Sequence, residues 1–387
     1  MAELSAFLLV ALSGRALAMA AHRAGRRAIV LDLFGDSDMR SHAVASRVIA
    51  GNLATGFDAK ALLSAAEELA PAHAAPPFGL VYGSGLEDRP DLLAALSQGR
   101  QLFGNSPETV RFTKDPKAFF PLLERLSIPH PPVSYSVPQD PERWLVKRVG
   151  ASGGGHVLPA LAVDRNGRDR YFQRRVDGRP VGVSFLADGR RARLIGFSEQ
   201  WRWSAGGESF LFGGAFQPAP IDAGLTAALP ALLDRIVSEL GLVGLNSLDM
   251  IVDGCDFHVI EVNPRPGANL DLFEGVGPAA LFELHLRACS GDLPDRIAPM
   301  SHATAMAVVY AKETSIAPLT GGWPDWVADR PAPGARIEKG APVCTVLATA
   351  ATAAEVRQLV DRRVASVLAR LRPDAPLCPA EDVAAGA

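Results

Sequence analysis

Through the first 105 residues, short apolar runs alternate with amphipathic stretches. AFLLVAL (6–12), RAIVLDLFGD (27–36) and GLVYGSG (79–85) are runs of strand length closed by Gly, Ser or Asp. Residues 15–23, 58–69 and 90–96 between them read as helices. Continuous apolar strands are buried on both faces, so the pattern predicts a parallel sheet covered by helices, a Rossmann-like start. The turn after the first strand, Ser13-Gly14-Arg15-Ala16, has one glycine and no GxGxxG, which makes an NAD(P) oxidoreductase the weakest reading.

From Ser106 the pattern changes. Ser106-Pro107-Glu108 reads as an N-cap with proline at the first helical position, and an amphipathic helix is expected over 114–126. Ile128-Pro129-His130-Pro131-Pro132 ends it. Strands follow at 144–148, 170–176, 181–186 and 193–199, then a helix over 225–240 and strands at 245–252 and 257–262. A helix near 279–288, strands at 306–311 and 343–348 and a helix over 353–371 complete the ordered part, and the Pro/Ala-rich end from 374 is expected to fray. The expected division is a Rossmann-like domain over 1–105, a small subdomain over 106–182, a large one over 183–375 and a disordered tail over 376–387.

Composition narrows the function classes. With 48% hydrophobic and 21% charged residues the chain can build cores, which excludes global disorder. A net charge of −3 lacks the electrostatic footprint of a nucleic-acid binder. The apolar run 6–12 is far short of a bilayer span and follows acidic Glu3, so neither a membrane nor a secretory segment is expected. Cys255, Cys289, Cys344 and Cys378 form no CxxC pair, which argues against a zinc site or disulfide framework and for a cytoplasmic protein. Among the basic residues only Lys60, Lys114, Lys117, Lys147, Lys312 and Lys339 are lysines, so each is worth locating.

Three segments carry candidate chemistry. In LVKRVGASGGGHV (145–157) a strand delivers Lys147 just before Ser152, Gly153, Gly154 and Gly155. Glycines let backbone N–H groups reach phosphate oxygens, and lysine adds a compact positive charge, although the spacing is not that of a Walker A loop. In GLNSLDMIVDGCDFHVIEVNPRPG (244–267), two apolar strands meet at Asp253-Gly254-Cys255-Asp256 and read as a hairpin. Glu261 and Asn263 share one face, Asp249 can lie across from them, and such oxygen ligands suit Mg²⁺ with phosphates. Burying two acids among Val, Ile and Met without a cation is costly. The third segment, 170–178, runs from a strand into a polar turn whose backbone suits the reading of an adenine edge. Trp201, Arg202 and Trp203, with Gly206-Gly207 and Gly213-Gly214, are read as ordinary loop residues in preference to an acceptor pocket.

In this order the segments resemble the ATP-grasp superfamily over roughly 106–274. VIEVNPRPG after GLNSLDMIV is similar to the family's metal hairpin, LVKRVGASGGGHV to its phosphate loop, and the first domain to its preATP-grasp domain. The tail beginning YAKETSIAP (310–318) resembles the closing region of biotin-carboxylase-related members. The chain most resembles predicted ATP-dependent carboligases, some of which accompany genes for tetrahydromethanopterin- and methanofuran-dependent one-carbon metabolism. The resemblance implies an α/β ATP-grasp fold, ATP and Mg²⁺ as cofactors, small-molecule carboxylate and amine substrates, and allows a homodimer. It places Lys117 at the α-phosphate, Lys147 at the α- and β-phosphates, and Ser152, Gly153, Gly154 and Gly155 as a mobile lid. Gln173, Arg174 and Val176 would line the adenine, and Asp249, Glu261 and Asn263 would hold one or two Mg²⁺. Arg265 would stabilise an acyl phosphate or an anionic intermediate. Two positions depart from the family pattern: Arg174 stands where the hinge usually has Glu, and the ribose-binding Glu aligns near Pro180, leaving Asp177. The implied function is an ADP-forming carboxylate–amine ligase working through an acyl phosphate, with a glutamate-type donor in one-carbon cofactor biosynthesis. A bicarbonate-activating carboxylase and a non-catalytic ATP-binding regulator are the alternatives.

Overall fold

The computed structural model describes residues 4–162, 169–203, 210–277, 279–319 and 322–373. Gly206, Gly207 and the tail expected over 376–387 lie outside them.

The N-terminal run of apolar strands builds one five-stranded parallel sheet, in the spatial order Ala45–Val48, Ala28–Asp32, Phe7–Val10, Gly79–Tyr82 and Gln101–Leu102. The strands read from the sequence are the three central ones, all fully buried. The half-exposed edge strand Ala45–Val48 (ASRV) and the short helix Ser37–His42 carry too little apolar pattern to be read. Chain order reverses between Phe7–Val10 and Gly79–Tyr82. In such sheets the crevice beyond the carboxyl ends at the reversal is where ligands sit.

A four-stranded antiparallel sheet follows, in the order Leu158–Pro159, Trp144–Arg148, Arg170–Arg174 and Val133–Ser134. Eight antiparallel strands make the third layer: Asp256–Asn263, Val243–Asp253, Arg179–Asp188, Ala192–Arg202, Phe212–Gln217, Ala303–Tyr310, Pro342–Ala350 and Val327–Ala328. Helix Ala223–Leu240 backs this sheet through Leu229, Leu233, Ile236 and Val237, an i, i+4, i+7, i+8 stripe without solvent exposure. Asp222 caps its start by accepting from the Gly224 and Leu225 N–H groups, and Gly241 ends it at φ 63°.

Two sequence expectations are corrected. The helix expected over 114–126 starts later, at Pro116–Arg125, and the Ser106 cap opens a separate helix, Pro107–Lys114, to which Lys114 belongs. A residue before proline is pushed out of the helical region, so Asp115 is extended (ψ 110°) and caps the second helix through the Lys117 N–H at 2.9 Å. Gly213, Gly214, Trp201 and Arg202 are not loop residues either: they lie in the paired strands Phe212–Gln217 and Ala192–Arg202. Glycine is required at position 214 because a Cβ there would stand 2.2 Å from the Trp201 ring.

Candidate active site

The site begins with the hairpin of strands Val243–Asp253 and Asp256–Asn263. Outward from its turn the pairs are Val252–Phe257, Ile251–His258 and Met250–Val259, and then a bulge puts Glu261, not Ile260, opposite Asp249. That single extra residue resets the alternation. Val259 and Val262, three apart, both enter the core, whereas Glu261 and Asn263 both face a cavity of about 1390 Å³. Regular pairing would have sent Glu261 into the core beside Leu248.

The oxygens that face the cavity are tied together. Gln200 Nε2 donates to Asp249 Oδ1 at 3.0 Å and Asn263 Nδ2 to Asp249 Oδ2 at 2.9 Å. Lys114 Nζ donates to Asn263 Oδ1 at 2.8 Å and to Glu261 Oε2 at 3.1 Å. The helix break at Asp115 explains why Lys114 reaches the hairpin: it ends the first helix. Lys117, beyond the break, sits over the Tyr135 ring at 5.4 Å and is not part of the cavity wall. The reading of the sequence missed Lys114; Pro116, which separates the two lysines, was the available signal.

Lys147, the last but one residue of strand Trp144–Arg148, is 8% exposed and lines the same cavity. Burial lowers the pKa of its ammonium, and the Glu261 and Asp249 carboxylates act in the opposite direction. The two acids are driven apart. Burial and then repulsion by Glu261 raise Asp249, whereas burial of Glu261 is outweighed by Lys114 and Lys147, which hold it low. The open 31% of the Glu261 side chain gives onto the cavity. After Lys147 come Ser152, Gly153, Gly154 and Gly155, all in the cavity wall. Gly154 takes φ 79° and comes so close to strand-flanking residue Phe210 that a Cβ would stand 1.9 Å from its carbonyl oxygen. His156 continues the wall, its imidazole held neutral by burial with a pKa lowered to about 4.

At one end lie Gln173, Arg174, Val176 and Asp177. Gln173 is 2% exposed and its Nε2 has no hydrogen-bond partner, an orphaned buried donor on the cavity wall. An adenine ring nitrogen offers the acceptor it lacks. Arg265, after the hairpin, is buried and held by Glu87, in the turn that follows strand Gly79–Tyr82 (Nε to Oε1, 2.7 Å). Glu87 also accepts from the Gly85 and Leu86 N–H groups, and Tyr82 donates to the Pro264 carbonyl at 3.1 Å. The cavity thus has walls from both large antiparallel sheets, and it reaches the switch point of the parallel one through Ala11, Leu12, Ser13, Gly83 and Ser84.

Residues 115–269 match the family model described as the ATP-grasp domain. Among solved structures, the fold is similar to the biotin carboxylase–βγ-ATP complex from Campylobacter jejuni, with a TM-score of 0.69 at 15% identity over 95% of this chain and 92% of that one. It is also similar to the biotin carboxylase domain of Hydrogenobacter thermophilus 2-oxoglutarate carboxylase, solved with MgADP and bicarbonate (TM-score 0.68, 12% identity, 95% and 90% covered). The chain has the ATP-grasp fold. In sequence it is 26% identical to the carbamoyl phosphate synthase large chain of Deinococcus radiodurans over 49% of its length, and 24% identical to that of Rubrobacter xylanophilus over 61%. It spans only 21% and 24% of the lengths of these relatives.

Within this ATP-grasp frame, every site residue expected from the sequence except Lys117 lines one cavity. The donor set of the hairpin fits Mg²⁺ on its chemistry: it is all oxygen, and Glu261 and Asn263 already converge on a cation, the Lys114 ammonium. No group of three or more His, Cys, Asp or Glu suited to a metal occurs among the described residues, so a metal here would need further oxygens from a bound phosphate. No helix among the described residues is long and apolar enough to cross a membrane.

Proposed function

We propose that the protein is an ADP-forming ATP-grasp ligase that activates a carboxylate-type oxyanion, with bicarbonate the favoured one. The supporting observation is the convergence of Lys147, the glycine loop and the Asp249–Glu261–Asn263 hairpin on one cavity. Lys147 and the N–H groups of Gly153, Gly154 and Gly155 would cradle the triphosphate, and Gln173 would read the adenine. Asp249, Glu261 and Asn263 would hold Mg²⁺, which supplies neutralisation of phosphate charge. Lys147 is buried beside two acids, so it is aimed before the nucleotide arrives and contributes without reorganisation.

In the step itself an oxyanion oxygen bonds to the γ-phosphorus as the bond to the β,γ-bridging oxygen breaks and ADP leaves. A nucleophile then attacks the activated carbon and phosphate departs with the C–O bonding pair. No serine or cysteine nucleophile is required; positioning and charge stabilisation carry the rate. Closure of the glycine loop keeps water from the acyl phosphate. Arg265, fixed by Glu87, would face the charge of the intermediate.

Bicarbonate is preferred over a glutamate-type carboxylate because the similarity to biotin carboxylase domains extends over 95% of the chain. The Hydrogenobacter domain, solved as a dimer, is also the ground for expecting a homodimer. ADP release with bicarbonate as sole carboxylate, compared with glutamate and other amino acids, tests the choice. Bicarbonate-stimulated ADP formation is expected; stimulation by amino-acid carboxylates alone would return the reading to amide ligation in cofactor biosynthesis.

A further inference from the structure

Ser13, Arg15, Phe34, Asp36, Asp329 and Thr345 also line the cavity. Arg15 is 2% exposed, and its guanidinium is fully engaged. Nη1 and Nη2 bind Asp271 at 2.7 and 2.6 Å, and Nε and Nη2 bind Asp329 at 3.0 and 3.2 Å. It therefore has no free edge for an anionic ligand. The neighbouring carboxylates are also satisfied. Asp32 accepts from the Gly14 and Gly35 N–H groups, Asp38 from the Asp329 and Arg330 N–H groups, and Asp329 further accepts from Ser13 Oγ.

Asp36 is the exception. It occupies the N-cap position of helix Ser37–His42 and is a residue type that normally caps, yet its side chain makes no capping bond. It is 6% exposed, it lines the cavity, and its Oδ2 is buried without a hydrogen-bond partner. The charged groups acting on it are Asp329, Asp32 and Asp38, all repulsive, and Arg15, already shared by two other acids. An orphaned carboxylate costs free energy in the ligand-free protein unless something supplies the missing donor.

From this geometry we infer that the part of the cavity around Asp36 is the acceptor subsite and that it takes a primary amine or amidine, which binds as the cation with Asp36 as its ligand and leaves its proton on that carboxylate before the free nitrogen attacks. The inference rests on the proposed reading of the cavity, since it places the nucleophile's nitrogen in the chamber where the oxyanion is activated. Two features support it: the excess of acid over base around this part of the cavity, and the buried, unpartnered oxygen of a residue in its wall. Burial, and then those acids, push the Asp36 carboxyl up to about 8, so the free protein holds a proton there that a cationic partner would displace.

Benzylamine, benzyl alcohol and benzoate share a shape and differ in charge, so saturation-transfer NMR with these probes tests the subsite on the full chain. Wild-type protein is expected to bind benzylamine about tenfold or more tightly than benzyl alcohol. Asp36→Asn and Asp36→Ser, each checked for folding by its melting curve, are expected to weaken benzylamine about tenfold or more. Absence of benzylamine binding to wild type, equal binding by both folded variants, or a preference for benzoate would overturn the assignment. Mg·ATP binding, measured separately, keeps the two readings apart: its absence would remove the proposed function without changing the amine result.

Discussion

Asp36, in the cavity wall, and Lys114, which holds two of the wall's hairpin residues, show how single side chains set the charge of this site. The folded-state pKa of Asp36 is raised to about 8, so the free protein holds that proton more tightly than the unfolded chain does. Its contribution is therefore most favourable below about pH 4 and is lost as pH rises towards 8. Asp36→Asn removes that titration. The variant is expected to melt at a higher temperature than wild type at pH 8, with a smaller gap at pH 5; thermal scans at the two pH values check the sign. Lys114 works in the opposite direction. It holds Glu261 low, a contribution present above the ordinary carboxylate range and lost as pH falls through about 2. Lys114→Met should therefore destabilise the protein by about 1–3 kcal/mol near neutral pH. Urea unfolding should show that difference shrinking below pH 4, and a pH-independent difference would contradict the assigned pairing.

At the scale of elements, most of what positions the site was legible in the sequence. Period and length gave the three central strands of the first sheet, helix Ala223–Leu240 and both arms of the hairpin, because each carries a strong apolar pattern closed by turn residues. Local backbone irregularities were not legible. The bulge at Ile260–Glu261 leaves only an odd spacing of Val259 and Val262, which alternation alone does not interpret. The break at Asp115–Pro116 turns one lysine to the acids and the next to Tyr135. Strand Phe212–Gln217 (FGGAFQ) resembles a loop until the Trp201 ring that needs its glycines is known. The glycine loop offers the element-scale test. Gly154→Ala collides with the Phe210 carbonyl and strains a left-handed backbone, so the loop cannot keep its present path. A reduction in ADP formation of about tenfold or more is expected, with the melting temperature changed by only a few degrees. Unchanged turnover would show that the loop does not act as a lid.

On the scale of the whole molecule, buried polar contacts bolt the first sheet to the eight-stranded one beside the cavity. Arg265–Glu87 and Tyr82–Pro264 fasten the first sheet to the hairpin, and Arg15 joins the first turn to Asp271 and Asp329, 256 and 314 residues on in sequence. Such long-range pairs left no trace in the sequence pattern, which is why Arg15, Asp36, Glu87 and Asp329 were not among the site residues read from it. The arrangement brings Lys147, Asp249, Glu261 and Asn263 into the wall of one cavity, which the proposed function reads as the nucleotide site. Titration calorimetry of Mg·AMP-PNP into wild type, Lys147→Ala and Glu261→Ala tests that claim most directly. The account predicts one saturable site in wild type and affinity at least about 100-fold weaker in each variant, provided that both melt as folded proteins. Wild-type affinity in either variant, or binding to all three independent of Mg²⁺, would contradict it.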